Sequence, residues 1–203
     1  MNQGAQPRLT PTGRIEAIVK LGIELQSMAG RHGIHNVFDD GGYKELILLT
    51  LFGLRKLDRE GDDAEDAEGN RYEVKTVARV DSRGRTKASL SVTTEHTLTR
   101  ANVERYRRVQ LWIIAVFKQS QPEAIYEIEP SKLEGPFFRV WDERLRAMEA
   151  ARTADDAPPH INNPKIPLGF IAKHGVRVWP PAGEVRVPPD VAADIEKARQ
   201  LDL

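Results

Sequence analysis

The feature that most constrains the fold is the segment Leu111–Phe117, an almost wholly apolar run rich in β-branched residues. A strand can be apolar on both of its sides only where both faces of the sheet are covered, so this run predicts a central strand. The segment Ala124–Ile128 follows Gln121-Pro122, alternates in polarity and predicts a neighbouring strand. A covered β-sheet is therefore expected in the second half of the chain.

Helical spacing dominates the first part of the chain. Apolar residues recur at helical intervals over 13–30, and Tyr43–Leu57 is apolar nearly all round, which predicts an amphipathic helix followed by a buried one. A further helix is expected over Thr99–Arg108 with Thr99 as its N-cap, and another over the Arg-rich segment Arg139–Arg152. Two further strands are predicted over Arg71–Val80 and Ala88–Thr94, and the segment Phe170–Trp179 is expected to close the sheet around a turn at 173–175. Two further helices are predicted, a short one over Pro130–Leu133 and another over 190–200.

This order predicts an α/β (α+β) fold in which a central mixed sheet of five or six strands is flanked by helices on both faces. The 203 residues suffice for one domain and are too few to expect two. Within the domain we expect a flexible N-terminus (1–12), a helical region (13–57), a core (58–179) and a C-terminal extension (180–203).

Composition excludes several classes of protein. The chain has no cysteine, which rules out disulfides, thiolate metal sites and cysteine nucleophiles and suits a reducing cytoplasm. The longest apolar run, Leu46–Leu54, is too short to span a bilayer, and residues 1–12 carry no apolar signal core. A cytoplasmic protein without a membrane anchor is expected.

Asp63, Glu73 and Lys75 form the most informative chemical pattern. Glu73 and Lys75 are two positions apart on a predicted strand, so both project from one face while Val74 faces the other. Two carboxylates beside an ammonium can hold a hard divalent cation and cut a phosphodiester. Between two acids Lys75 should stay protonated, which favours an electrostatic and positioning role over that of a base. The alternative is a solvated strand face with Asp63 capping a turn.

Charges are unevenly distributed although 30 basic and 30 acidic residues cancel. The segment Leu57–Glu73 contains eight acidic and two basic residues. The segment Thr76–Lys118 contains nine basic and three acidic residues. Carboxylates for a metal ion beside cations for phosphates are the equipment of a metal-dependent nuclease. Two solvated faces of opposite sign remain an alternative. An EF-hand is excluded, because the acidic loop lacks the required ligand spacing.

Six blocks of sequence, in order along the chain, carry a resemblance to a known family. They are 31–40 (RHGIHNVFDD), 63–75 (DAEDAEGNRYEVK), 106–109 (YRRV), 123–130 (EAIYEIEP), 161–167 (INNPKIP) and 173–175 (KHG). Together they resemble the PvuII family of type II restriction endonucleases, which are PD-(D/E)xK nucleases, from about Ile15 to Trp179. The resemblance implies a restriction-endonuclease-like fold, a homodimer, and cleavage of a palindromic duplex site to blunt ends.

The resemblance also implies catalytic and cofactor roles. Asp63, Glu73 and Lys75 match the catalytic residues of the family, and the metal would be held by Asp63, Glu73 and the backbone carbonyl of Val74. The implied cofactor is Mg²⁺, with Mn²⁺ as a substitute and Ca²⁺ supporting DNA binding without cleavage.

DNA contacts are implied for a second set of residues: Asp40, Thr94, Glu95, His96, Thr97, Arg105, Tyr106, Asn162, Asn163 and Lys165. Asn162 and Asn163 match asparagines that approach adenine and the nearby backbone from the major groove, where an amide can pair with adenine N6 and N7. The alternative is that Asn-Asn-Pro is a plain turn. Asp40 matches an acid near the minor groove at the dimer centre.

The chain departs from the family at its base-reading strand. Three consecutive histidines of the family are replaced here by Glu95-His96-Thr97. The retained His96 suggests a kept AGCT centre, whereas Thr97 lacks the reach of a histidine and Glu95 would accept from cytosine N4 or repel a phosphate. We therefore predict a changed or relaxed outer base pair.

The expected partners are double-stranded DNA, a second copy of the chain, and a cognate methyltransferase in the same system without direct contact. Residues 13–57 would form the dimer contact, with core packing as the alternative, and 58–179 would form the catalytic and DNA-recognition core. Two other functions are less well supported by the sequence. A repair or junction nuclease is disfavoured by His96 and Asn162-Asn163, and a non-catalytic DNA-binding protein is disfavoured by the intact catalytic residues.

Overall fold

A six-stranded mixed sheet with helices on both of its faces organises the computed structural model. The structure describes residues 11–38, 41–57, 62–81, 83–118, 120–153 and 157–180. The predictions for the N-terminus, for the C-terminal extension with its helix over 190–200, and for Asp40 therefore lie wholly or almost wholly outside the described residues.

The helices are α1 (Pro11–Arg31), α2 (Gly42–Phe52), α3 (Arg100–Arg108), α4 (Pro130–Leu133), α5 (Arg139–Ala150) and α6 (Leu168–His174), and one π-helical turn (Glu134–Phe138) joins α4 to α5. The strands are β1 (Arg55–Lys56), β2 (Ala64–Glu65), β3 (Arg71–Ala78), β4 (Ser91–Thr93), β5 (Thr97–Leu98), β6 (Leu111–Lys118), β7 (Gln121–Ile128), β8 (Ile161–Asn162), β9 (Lys165–Pro167) and β10 (Val176–Trp179). None of the described helices has the length and apolarity needed to cross a bilayer.

The main sheet has the order β1-β2-β3-β6-β7-β10. Only β3 and β6 run parallel, and the other neighbours are antiparallel. The predicted central strand is confirmed, because β6 lies between β3 and β7. Two short antiparallel pairs, β4 with β9 and β5 with β8, form separate ribbons.

Alternate residues of β6 enter two different cores. Trp112, Ile114 and Val116 join the core that packs against α3, α4, α5 and α6, whereas Ile113 and Phe117 join the core that packs against α1 and α2. Successive side chains of a strand point to opposite faces, so a strand that is apolar throughout is satisfied only at this position between two helical layers.

Helix α3 begins where the sequence predicts. The Thr99 hydroxyl accepts from the Asn102 amide, and the Asn102 side chain accepts from the Thr99 amide at 2.8 Å, which together form a capping box.

Helix α2 ends earlier than predicted. Gly53 adopts φ 63° and terminates it, and Arg55–Lys56 forms β1 instead.

The prediction for Phe170–Trp179 is wrong in its first half. Residues Leu168–His174 form α6, and only Val176–Trp179 is a strand. The change of direction falls at Gly175, where a Cβ atom would lie 2.7 Å from the Glu127 carbonyl oxygen. The close approach of β7 at this point explains why the residue is a glycine.

The strand predicted over Ala88–Thr94 is also shorter than expected, because only Ser91–Thr93 forms a strand, β4.

Candidate active site

Glu73 and Lys75 project from the same face of β3, as the alternation predicts. The parallel register pairs Glu73 with Trp112 and Lys75 with Ile114, so both side chains lie on the face covered by α3. The Glu73 side chain is fully buried, and Lys75 Nζ lies 2.6 Å from Glu73 Oε1. A carboxylate is thus held inside the apolar core with an ammonium directly beside it.

Asp63 is brought to these residues by the antiparallel pairing of β2 with β3, which places Ala64 opposite Tyr72. The Val74 amide donates to Asp63 Oδ2 at 2.8 Å and fixes the orientation of the carboxylate. Lys75 Nζ lies 3.7 Å from the same oxygen. The structure therefore brings together the three side chains that were predicted to act together.

Burial controls the ionisation of this cluster. It raises the pKa of Glu73 to about 7 and is assisted by the negative charge of Asp63, whereas Lys75 and Arg105 act in the opposite direction. Burial alone would lower the pKa of Lys75, but Asp63 and Glu73 hold that pKa above its ordinary value. Lys75 therefore stays protonated, as expected for a lysine beside two acids.

The donor set fits a hard divalent cation. Within the described residues neither oxygen of Glu73 accepts a hydrogen bond of good geometry, so its contact with Lys75 is an ion pair by distance only. Asp63 is partly exposed and within ion-pair reach of the same ammonium, so the two carboxylates lie close together. The described ranges contain no cluster of three or more His, Cys, Asp or Glu suited to a metal. Mg²⁺ is usually coordinated by one or two carboxylates together with water, and Asp63 and Glu73 can supply the carboxylates.

Tyr106 and Arg105 of α3 connect this cluster to Glu95. Tyr106 is fully buried against the Trp112 ring at 4.6 Å, and its hydroxyl donates to Glu95 Oε1 at 3.1 Å. Burial, with the charges of Glu73 and Glu95, raises the pKa of Tyr106 far above its ordinary value, so the hydroxyl keeps its proton. Arg105 Nη2 donates to the same Glu95 oxygen at 3.0 Å.

Asp62 is a member of this group that the sequence analysis did not single out. Its Oδ1 lies 3.8 Å from Arg105 Nε. The only sequence signal was its place in the acidic loop beside Asp63, since the partner lies far away along the chain.

The candidate base-reading residues come together on the ribbon of β5 and β8, which pairs Thr97 with Asn162. His96 Nδ1 lies 2.9 Å from Asn163 Oδ1, and the Asn163 amide donates to the His96 carbonyl at 3.0 Å. Because a carbonyl oxygen only accepts, Nδ1 carries the proton in this arrangement. The side chains of His96, Thr97, Asn162 and Asn163 are exposed.

Two other candidates differ in their surroundings. Thr94 is buried, and its hydroxyl donates to the Pro164 carbonyl at 3.3 Å, which gives it a place in the scaffold of the ribbon. Lys165 is exposed and pairs with Thr93 across β4 and β9. The DNA contacts of these residues stay predictions.

The mixed central sheet with helical layers on both faces is consistent with a restriction-endonuclease-like fold, and Asp63, Glu73 and Lys75 lie together where β2 pairs with β3. A family model described as restriction endonuclease PvuII matches residues 11–179. The chain belongs to the PvuII restriction endonuclease family, and the resemblance noted in the sequence is confirmed. It is therefore a type II site-specific deoxyribonuclease that acts on double-stranded DNA.

Proposed function

We propose that the enzyme hydrolyses both strands of a palindromic, AGCT-centred site with Mg²⁺, acts as a homodimer and leaves blunt ends. The observation that carries the proposal is the convergence of Asp63 Oδ2 and Glu73 Oε1 on Lys75 Nζ, at 3.7 and 2.6 Å. Asp63, Glu73 and the Val74 carbonyl would hold the ion, with Mn²⁺ as a substitute.

Each residue of the cluster has a distinct task. A bound Mg²⁺ neutralises phosphate charge and acidifies a water molecule. Asp63 is oriented for the ion by the Val74 amide. Glu73 offers two oxygens without hydrogen-bond donors of good geometry in the described chain, and Lys75 keeps its charge beside the position of the scissile phosphate. The protonated Lys75 orients the attacking water and does not deprotonate it.

Sequence reading is assigned to the β5–β8 ribbon. Asn162 and Asn163 would read adenine from the major groove, and His96 the inner G·C pair. Thr97 would meet the outer pair without the reach of a histidine, so the outer pair is changed or relaxed. The remaining proposed DNA contacts come from Asp40, Thr94, Glu95, Arg105, Tyr106 and Lys165. Thr94 and Tyr106 are buried, so they would act through the residues to which they donate hydrogen bonds, Pro164 and Glu95.

Digestion of a plasmid library followed by sequencing of the ends tests this reading. Ends that share an AGCT centre and are blunt support it. A CAGCTG-only pattern contradicts the changed outer pair, and staggered ends contradict the proposed cleavage position.

Dimerisation is assigned to residues 13–57. In that region α1 exposes Leu21 and Ile23, and Phe38 follows it, with 58, 65 and 66% of their surfaces accessible. Large apolar side chains left exposed in this way are candidates for a protein contact. A two-fold dimer presents the same reading residues to both halves of a palindrome.

The setting follows from the activity. A nuclease that cuts the DNA of its own cell must be accompanied by a methyltransferase that modifies the same site, without any need for contact between the two. We place both enzymes in the cytoplasm of a prokaryotic cell.

A metal comparison with Lys75→Ala tests the catalytic assignment. Purified protein should cut DNA with Mg²⁺ and Mn²⁺, bind its site without cutting in Ca²⁺, and be inert in EDTA. Lys75→Ala should lose cleavage by about 100-fold or more because it removes charge stabilisation at the phosphate. Lys173→Ala, on the exposed surface of α6, serves as the matched control. If Lys75→Ala cleaves DNA at the rate of the parent enzyme, the catalytic role assigned to Lys75 is wrong.

A further inference from the structure

We propose that Arg105 is a positioning residue that couples base reading to cleavage by bridging Glu95 and Asp62. Glu95 belongs to the reading segment, defined as residues 94–97, and Asp62 belongs to the catalytic loop, defined as residues 62–63. The inference rests on the proposed function. It adds a route by which binding of the recognition sequence promotes cleavage by Asp63, Glu73 and Lys75.

The bridge consists of one guanidinium between two acids from separate segments. Arg105 Nη2 donates to Glu95 Oε1 at 3.0 Å, and Arg105 Nε lies 3.8 Å from Asp62 Oδ1. Glu95 is anchored because the same oxygen accepts from the buried Tyr106. Arg105 and Tyr106 are neighbours on α3, which is capped at Thr99 immediately after β5. A displacement of the reading segment is therefore transmitted to α3 and to the guanidinium.

The two ends of the bridge differ. The end at Glu95 is a formed hydrogen bond, whereas Asp62 Oδ1 and Arg105 Nε are both buried and neither has a hydrogen-bond partner within the described residues. A buried polar atom without a partner is costly, and a shift of about 1 Å would bring these two atoms to hydrogen-bond distance. Closure of this gap would draw Asp62 toward α3 and shift the backbone of the adjacent Asp63.

The DNA contact proposed above for Arg105 is the competing role, and the coupling replaces it. The side chain is only 22% exposed, and acids lie on two sides of it, which makes it poorly placed for such a contact. The two roles predict different measurements. A phosphate contact weakens binding to all sequences and lowers the salt dependence of binding, whereas coupling slows the cleavage step after binding.

The experiment uses the full-length enzyme and a duplex carrying the site found by end sequencing. Affinity is measured in Ca²⁺, and single-turnover cleavage is started from the preformed complex with Mg²⁺. Arg105→Gln should slow cleavage by about 10- to 100-fold, because a misplaced catalytic loop is costly, while its Kd in Ca²⁺ stays within about threefold of the parent. Asp62→Asn, which keeps the shape of the side chain, should slow cleavage in the same way.

Two further variants separate geometry from charge. Arg105→Lys should cleave as slowly as Arg105→Gln, since an ammonium lacks the fork needed to reach both acids. The double variant Glu95→Gln/Arg105→Gln should be no slower than Arg105→Gln alone, because both changes break one bridge. Recovery with lysine, or additive losses in the double variant, would overturn the coupling.

Two outcomes distinguish the coupling from the proposed function. If the parent enzyme cuts with Mg²⁺ and Arg105→Gln loses affinity and salt dependence in proportion to cleavage, the coupling is wrong and the nuclease assignment stands. If the parent does not cut with Mg²⁺, the proposed function fails. The bridge is then tested by Tm in EDTA without DNA, where non-additive changes for Glu95→Gln and Arg105→Gln support the contact and additive changes refute it.

Discussion

Glu73 and Trp112 occupy paired positions in the parallel β3–β6 register, and both side chains are fully buried. The strand thus presents a carboxylate to the face of the sheet on which its neighbour presents an indole. Lys75 Nζ lies 2.6 Å from Glu73 Oε1 and forms an ion pair with it. The site is therefore an acid set into a hydrophobic core, where burial raises its pKa to about 7.

The buried acid predicts a pH-dependent stability in EDTA. The pKa of Glu73 is about 7 in the folded protein against 4.5 for an ordinary glutamate, so the folded state binds the proton more tightly. The stability due to Glu73 is full below about pH 4.5 and is lost as the pH rises to about 7, by on the order of 3 kcal/mol. Relative to the parent, Glu73→Gln should gain stability over this window. Glu68→Gln, at an exposed position, is the control, and a Tm difference that stays constant from pH 5 to 8 would refute the prediction.

Truncation on β6 tests the two-core arrangement. Ile113 is fully buried in the core beneath α1 and α2, so Ile113→Ala should lower the free energy of unfolding by about 2–5 kcal/mol. Val176→Ala, at a position 65% exposed on β10, should change it by no more than about 0.5 kcal/mol. Chemical denaturation measures both, and equal effects would contradict the central position of β6.

Asn163 allows a proposed base-reading side chain to be removed without disturbing the backbone. It has φ 46°, a left-handed conformation that glycine adopts without strain. Asn163→Gly should keep the Tm of the parent and lose specific affinity in Ca²⁺ by about 1–3 kcal/mol, the value of a bidentate base contact. Affinity for a duplex without the site should be unchanged. An unaltered preference for the specific site would exclude Asn163 from base reading.

The exposed apolar side chains of α1 predict a dimer contact that a single charge disrupts. Ile23→Glu should place a carboxylate in the contact and shift the protein from dimer to monomer, because an unpaired buried charge is strongly unfavourable. Sedimentation velocity measures the change. Val140→Glu, on the exposed side of α5, is matched in chemistry and should leave the dimer intact. A dimer that survives Ile23→Glu would place the contact elsewhere.

Local patterns were sufficient for several elements. The apolar run in β6, the alternation of Glu73 and Lys75 on β3 and the cap at Thr99 are set by neighbours within a few positions, and each was predicted correctly. Helix α6 was missed because its short apolar stretch reads as strand or helix alike. Its form is set by packing against β7 and β9, which no local pattern contains.

The sequence by itself determined the central strand, the shared face of Glu73 and Lys75, and membership of the family, because side-chain periodicity and motif order are properties of the chain alone. Only the tertiary structure decided that Asp63 meets that face, that His96 pairs with Asn163, and that Arg105 lies between Glu95 and Asp62. These contacts join distant segments, and their geometry is set by the pairing of β2 with β3 and β5 with β8 and by the seating of α3 on the sheet.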